Sequence, residues 1–169
     1  EVGPLNKNSV VVLIGGSMIM IEEWKSDVSA ILMAYYPGME GGTAIAKTLF
    51  GDVNPGGKLP FVVPTHESDL PQTDWEATEI TYEYYHGYTK LEKEGKSPSL
   101  PFGFGLSYTT FSISNAKFEV RDNQTIASCE VENTGNREGD EVVQMYVGFS
   151  QSKIDRPVKV LRGFERVSL

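Results

Sequence analysis

The chain has 169 residues, 40% of them hydrophobic and 22% charged, with a formal net charge of -8. That length allows one medium globular domain or two small ones, and the apolar content argues against a chain disordered throughout. An acidic chain repels phosphate backbones, which argues against nucleic-acid partners, whereas a neutral ligand such as a sugar meets no such repulsion.

The single cysteine, Cys129, excludes an internal disulfide. The longest uninterrupted apolar run, residues 30–36, is far too short to cross a bilayer. Cysteine poverty fits the cytoplasm, the periplasm or bacterial secretion alike. No basic stretch followed by an apolar one opens the chain, so a signal peptide is not expected within it. The sequence starts at Glu1 and reaches a strand-like run almost at once. A fragment or processed product is therefore the expectation, with secretion or the periplasm favoured over the cytoplasm.

In chain order, Val10–Ile14 is apolar throughout and mostly β-branched, as in a strand buried on both faces. Residues 28–35 read as a second strand, with a helix possible by composition. From Gly42 to Phe50, apolar Ile45, Ala46, Leu49 and Phe50 recur at helical spacing. Asp52-Val-Asn-Pro-Gly-Gly57 is turn chemistry, since Asn and Gly tolerate positive φ and Pro presets a bend. Leu59–Val63 is expected as a last short strand of a parallel sheet. Residues 65–101 are polar, aromatic and proline-containing, and read as a long ordered loop. Five of the eight tyrosines, Tyr82, Tyr84, Tyr85, Tyr88 and Tyr108, fall in it or just past it, which argues for packing over a free linker.

After Tyr108 the pattern becomes all-β. Phe111–Val120 is strand-like, and Ala127, Cys129 and Val131 alternate with polar residues, giving one buried and one wet face. Residues 133–136 make a turn, Val143, Met145, Val147 and Phe149 alternate again, and 158–169 is a further strand. Such spacing indicates a β-sandwich, of which about seven strands would be needed, so only part is expected here. The organisation read from the sequence is 1–64, α/β; 65–107, an aromatic linker loop; and 108–169, the start of a β-sandwich.

The candidate chemistry is sparse. Pro37-Gly-Met-Glu-Gly-Gly42 sits where open α/β sheets place ligand loops, between a strand and a helix. Glu40 there either accepts hydrogen bonds from sugar hydroxyls or, the favoured reading, caps the helix or meets another domain. None of the glycine clusters completes a phosphate loop, so each reads as a structural turn. His66 and His86 are the only histidines, too few for a zinc site. No Gly-x-Ser-x-Gly elbow is present. Cys129 reads as a buried small hydrophobe, not a nucleophile. Carboxylates are plentiful, but most lie in charged runs of surface type such as Glu92-Lys-Glu94.

Four stretches in order resemble the C-terminal region of glycoside hydrolase family 3. Tyr36–Pro60 is similar to the end of that family's α/β sandwich domain, and Leu100–Phe111 to its passage into a fibronectin type III-like domain. Glu132–Val147 and Arg156–Arg166 resemble early strands of the latter. The resemblance implies a retaining hydrolase of β-linked glucosides or oligosaccharides with no metal or organic cofactor. It also implies that the nucleophile, an aspartate on an N-terminal barrel, and the acid/base glutamate, upstream of Val10, both lie outside this chain. No catalytic residue is therefore assigned, and the chain alone is expected to be inactive. Glu40, Tyr85 and His86 are candidates for the substrate cleft or the domain interface, with packing as the plainer reading of the two aromatic residues. The rival readings are a non-catalytic β-sandwich module that binds carbohydrate or protein, and a small-molecule-binding α/β domain.

Overall fold

A computed structural model describes residues 2–74 and 76–169; Glu1 and Trp75, the latter inside the expected linker, lie outside the described residues. The two β-branched and apolar runs near the start pair in parallel, β1 (Val10–Ile14) with β2 (Ala30–Tyr35). That pairing settles residues 30–35 as strand and not helix. The register slips after Leu13, so that Ile14 faces Tyr35. Tyr35 has φ 52, a left-handed conformation that a bulky residue keeps only when its surroundings hold it. Here its ring lies edge-on to Phe61, with centroids 6.2 Å apart.

The expectation of strands buried on both faces is not met. Val10 and Ile14 are exposed and the middle of β1 is half-buried. With two strands in the sheet, one apolar face opens on a cavity of about 500 Å³ lined by Leu13, Ile31, Met33, Leu59 and Phe104 among others.

Helix α1 (Gly41–Leu49) matches the helical spacing of its apolar residues. It ends at Gly51, whose φ of 86 supplies the left-handed residue that commonly terminates a helix. The strand expected over 59–63 reduces to one bridge, Val63 with Leu100. Pro60 and Pro64 carry no amide hydrogen, so a continuous ladder cannot pass through them. Instead the Leu59 amide donates to the Phe104 carbonyl and its own carbonyl accepts from Gly103, both at 2.8 Å. These links hold the end of the linker against the run that precedes it. Val62, Val63, Pro64, Ile21 and Leu91 form the buried centre of the structure.

The loop expected over 65–101 contains a helical turn at Glu67–Asp69 and a helix, α2 (Gly87–Lys93). Seven residues without a side-chain cap are too few to hold a helix by propensity, so no periodic signal announced it. Packing holds it: Leu91 is 3% exposed. Lys90 Nζ also donates to the Asp69 carbonyl at 2.9 Å.

The second half consists of two antiparallel ladders. β3 (Phe111–Arg121) and β4 (Gln124–Asn133) are joined by Asp122 and Asn123, whose φ values of 49 and 63 are those of the hairpin turn matching the strands' twist. β5 (Asp140–Val147) pairs with β6 (Val160–Ser168). The expected class, α/β followed by antiparallel β, is the observed one.

The expected wet and dry faces of β4 are weaker than the alternation suggested. Ala127 is exposed, and Cys129 is half-exposed where burial was expected. A ladder of two strands offers no second layer to cover the apolar side. Phe118 and Val120, on one face of β3, are accordingly 68% and 76% exposed. Apolar patches of this kind promote association. Replacing both by threonine is expected to lower the average mass of the chain in sedimentation equilibrium while leaving its far-ultraviolet strand signal unchanged.

Candidate functional site

The turn at residues 51–58 lies where the two halves of the chain meet. Proline and glycines let it approach the second half closely: a Cβ on Gly56 would fall 2.7 Å from the Asp140 Cβ. Asn54 is its hub. Its amide nitrogen donates to the Glu138 carbonyl at 3.0 Å, and its oxygen accepts from Ser107 Oγ at 2.9 Å and the Tyr108 amide at 2.7 Å. Tyr108 in turn donates through its hydroxyl to the Thr48 carbonyl at 2.8 Å, fastening the end of α1. Arg137 donates to the Gly51 carbonyl and lies over the Tyr108 ring. Lys58 pairs with Glu141 at 2.9 Å, both side chains less than a fifth exposed, and donates to the Gly105 carbonyl at 2.9 Å. Excluding water from such a pair strengthens it and makes the loss of one partner costly.

The aromatic linker makes a second joint. Tyr88 stands between Phe102 and Tyr146, with ring centroids 5.1 and 6.0 Å away, and its hydroxyl accepts from the Leu161 amide at 3.0 Å. Glu92 pairs with Lys159 at 2.9 Å and Lys93 with Asp155 at 2.6 Å. Below α2, the buried Asp69 pairs with Lys96 at 2.6 Å. That ammonium group holds the Asp69 carboxyl below the usual aspartate range against the opposing effect of burial.

The three residues singled out from the sequence do not form one cluster. Glu40 occupies the cap position of α1, at the positive end of the helix, and its side chain makes no capping hydrogen bond. It is exposed on a loop with Tyr36 and Met39, which are 77% and 102% exposed. Tyr85 is half-buried: Lys93 Nζ sits 3.7 Å from its ring centroid and Tyr84 packs edge-on at 5.0 Å. Its hydroxyl is enclosed with no hydrogen-bond partner, and burial, with the Asp155 carboxylate nearby, pushes the phenol upward. His86, next in the chain, is exposed and caps α2 with backbone alone.

None of these three lines a described cavity. The apolar hollow beside β1 and β2 has no carboxylate in its wall. A wide polar hollow between the halves has Asp52, Glu138 and Asp140. Asp140 is committed there: Arg166 and Ser168 engage both of its oxygens and hold its carboxyl below the usual range, the opposite of what a proton donor needs.

The sequence reading missed Asn54, Lys58, Tyr88 and Asp69 as organising residues. Asn54 was legible only as a turn former, because its three partners lie more than fifty residues away in the chain.

Comparison with known proteins connects this double joint to a family. The model of the glycosyl hydrolase family 3 C-terminal domain matches residues 1–108, well over half of the chain. The chain belongs to glycosyl hydrolase family 3. A fibronectin type III-like domain model matches residues 141–169, the stretch that contains β5 and β6. Among family relatives, a β-xylosidase of Formosa agariphila is 40% identical over 96% of this chain, which spans 23% of that protein. A β-glucosidase of Kluyveromyces marxianus is 39% identical over 97% of the chain and 20% of its own length. The solved structure of β-glucosidase 3B from Thermotoga neapolitana in complex with α-D-glucose is 34% identical, with a TM-score of 0.89 over 95% of this chain and 24% of that one. The chain thus spans about a quarter of the length of the relatives it matches.

Two outcomes follow from the joint. Asn54→Ala removes three hydrogen bonds at once and is expected to lower unfolding free energy by about 2–3 kcal/mol in urea titration. Because Lys96 depresses the Asp69 carboxyl, the pair's stabilisation is complete above the free-aspartate value near 3.8 and is lost as pH falls through the lower folded value. Lys96→Met is expected to melt lower than the unmodified chain at pH 7, with the difference narrowing below about pH 4.

Proposed function

We propose that this chain is the C-terminal portion of a retaining β-glucosidase-type glycoside hydrolase, scaffolding the cleft without contributing either catalytic carboxylate. The family match through residues 1–108 supports this reading. Retaining hydrolysis needs two carboxyl groups about 5–5.5 Å apart across one glycosidic bond. When separate domains supply them, their spacing depends on how rigidly the domains are joined, and small displacements cost large factors in rate. The contacts of Asn54, Lys58 and Tyr88 give this chain the rigidity such a brace requires.

The division that fits this role is 1–64 as the end of the α/β sandwich domain, 65–107 as the linker and 108–169 as the start of the fibronectin-like domain. The loop of Glu40, with apolar Tyr36 and Met39 exposed beside it, suits contact with the barrel domain. Lys93 covers one face of the Tyr85 ring. This favours packing for Tyr85 and leaves His86 as the accessible member of the pair. The substrate is a β-linked glucoside or oligosaccharide. A xylosidase and a glucosidase both stand among the relatives.

Hydrolysis of 4-nitrophenyl β-D-glucopyranoside discriminates the readings. The purified chain is expected to give no turnover, while a longer protein containing it and the barrel is expected to turn over. Turnover by the chain alone, lost in Glu40→Gln, would overturn the assignment. Retention on immobilised β-glucan with no turnover in the longer protein would favour a binding module instead.

A further inference from the structure

The segment from Tyr82 to His86 has no regular secondary structure, and its partners are few. Its one enclosed side chain is Tyr85, whose ring is covered by Lys93 at 3.7 Å. Lys93 comes from α2, directly after the segment, so it could not by itself fix the segment relative to the second half of the chain. Asp155 does that. It pairs with Lys93 at 2.6 Å, across 62 residues of sequence.

Asp155 belongs to the connection between β5 and β6, which carries its own order. Ser152 Oγ donates to the Ile154 carbonyl at 2.8 Å, and the Arg156 guanidinium lies 4.7 Å from the Phe149 ring centroid. The carboxylate is therefore presented by a preformed loop. The neighbouring contacts of α2, Glu92 with Lys159 and Tyr88 with Leu161, bring that loop alongside but do not reach Tyr85.

We infer that Lys93 and Asp155 are positioning residues: their ion pair, seated on the Tyr85 ring, latches the 82–86 segment to the β5–β6 connection. The latch makes the placement of this segment depend on the fibronectin-like half of the chain. A cation held over a ring gains from both the π face and the carboxylate, and an ammonium tethered by the carboxylate cannot swing off the ring. Both partners are well exposed, with side chains 43% and 69% accessible. The latch is thus weak and salt-sensitive, as suits a reversible contact more than a structural weld. Its relevance to a sugar cleft rests on the reading given above; its existence does not, and its test involves no substrate.

Hydrogen exchange read by mass spectrometry on the full chain provides that test. Asp155→Asn and Lys93→Met are each expected to speed exchange in peptides covering 82–88 by about two- to fivefold, the size of an exposed charge pair's contribution. The double variant is expected to match the single ones, since either change removes the same contact. Lys93→Arg keeps the charge and the ring contact and is expected to restore slow exchange. The β3–β4 hairpin, which lies outside the latch, is expected to be unchanged. In the unmodified chain, added salt is expected to reproduce the effect, and in Asp155→Asn to add nothing. Unchanged exchange at 82–88 in Asp155→Asn would overturn the inference, as would failure of arginine to restore it. An equal rise across the hairpin would also do so, unless the salt titration of the unmodified chain still singles out 82–88.

Discussion

The architecture depends on the side chain of one asparagine. Asn54 has one donor group and one acceptor oxygen, and it uses both to bind backbone on either side of the passage between the α/β and antiparallel halves. An amide suits this place because the passage and the second half offer both kinds of partner: a carbonyl at Glu138, and a hydroxyl and an amide at Ser107 and Tyr108. A carboxylate would lose the donor and face the carbonyl with like charge. A hydroxyl would be too short to bridge both. Around this hub, Lys58 with Glu141 and Arg137 with Tyr108 add charge and area, and the close approach of Gly56 to Asp140 makes the contact nearly direct.

Such a joint fits the proposed role, in which the two reacting carboxylates come from separate domains. In the role proposed above the reacting carboxylates lie outside this chain, and a brace contributes to rate through geometry as surely as a reacting side chain does. It also accounts for the distribution of polarity. The well-made polar contacts are concentrated at the two joints, while the apolar surface of β3 and the hollow beside β2 are left open. Stability here is uneven, with order greatest where the halves touch.

The local chemistry of strands and turns was legible in the sequence. Apolar runs gave β1 and β2, and alternation gave β4 and β5. Three features were hidden, each for a physical reason. The run at 59–63 has strand composition, but Pro60 within it and Pro64 just after it cannot donate to a ladder. Helix α2 lacks periodicity and caps because its stability comes from Tyr88, Leu91 and Lys90 meeting distant partners. The candidate residues Glu40, Tyr85 and His86 were chosen by local motif and residue type, and neither reports which side chains converge in space. Lys93 was read as part of a charged surface run, and it is exposed, but its position over Tyr85 could not be seen without Asp155.

Helix α2 also bears on how the molecule assembles. Its strongest tie to the second half, the Tyr88 hydroxyl on the Leu161 amide, spans 73 residues. A single turn or two of helix is unstable alone, and closing so large a loop costs entropy before any contact compensates it. During synthesis from the N-terminus, this tie of the linker therefore forms only after β6 emerges to receive it. The aromatic segment is the early part of the chain that matures late, and over that interval its tyrosines are open to other partners.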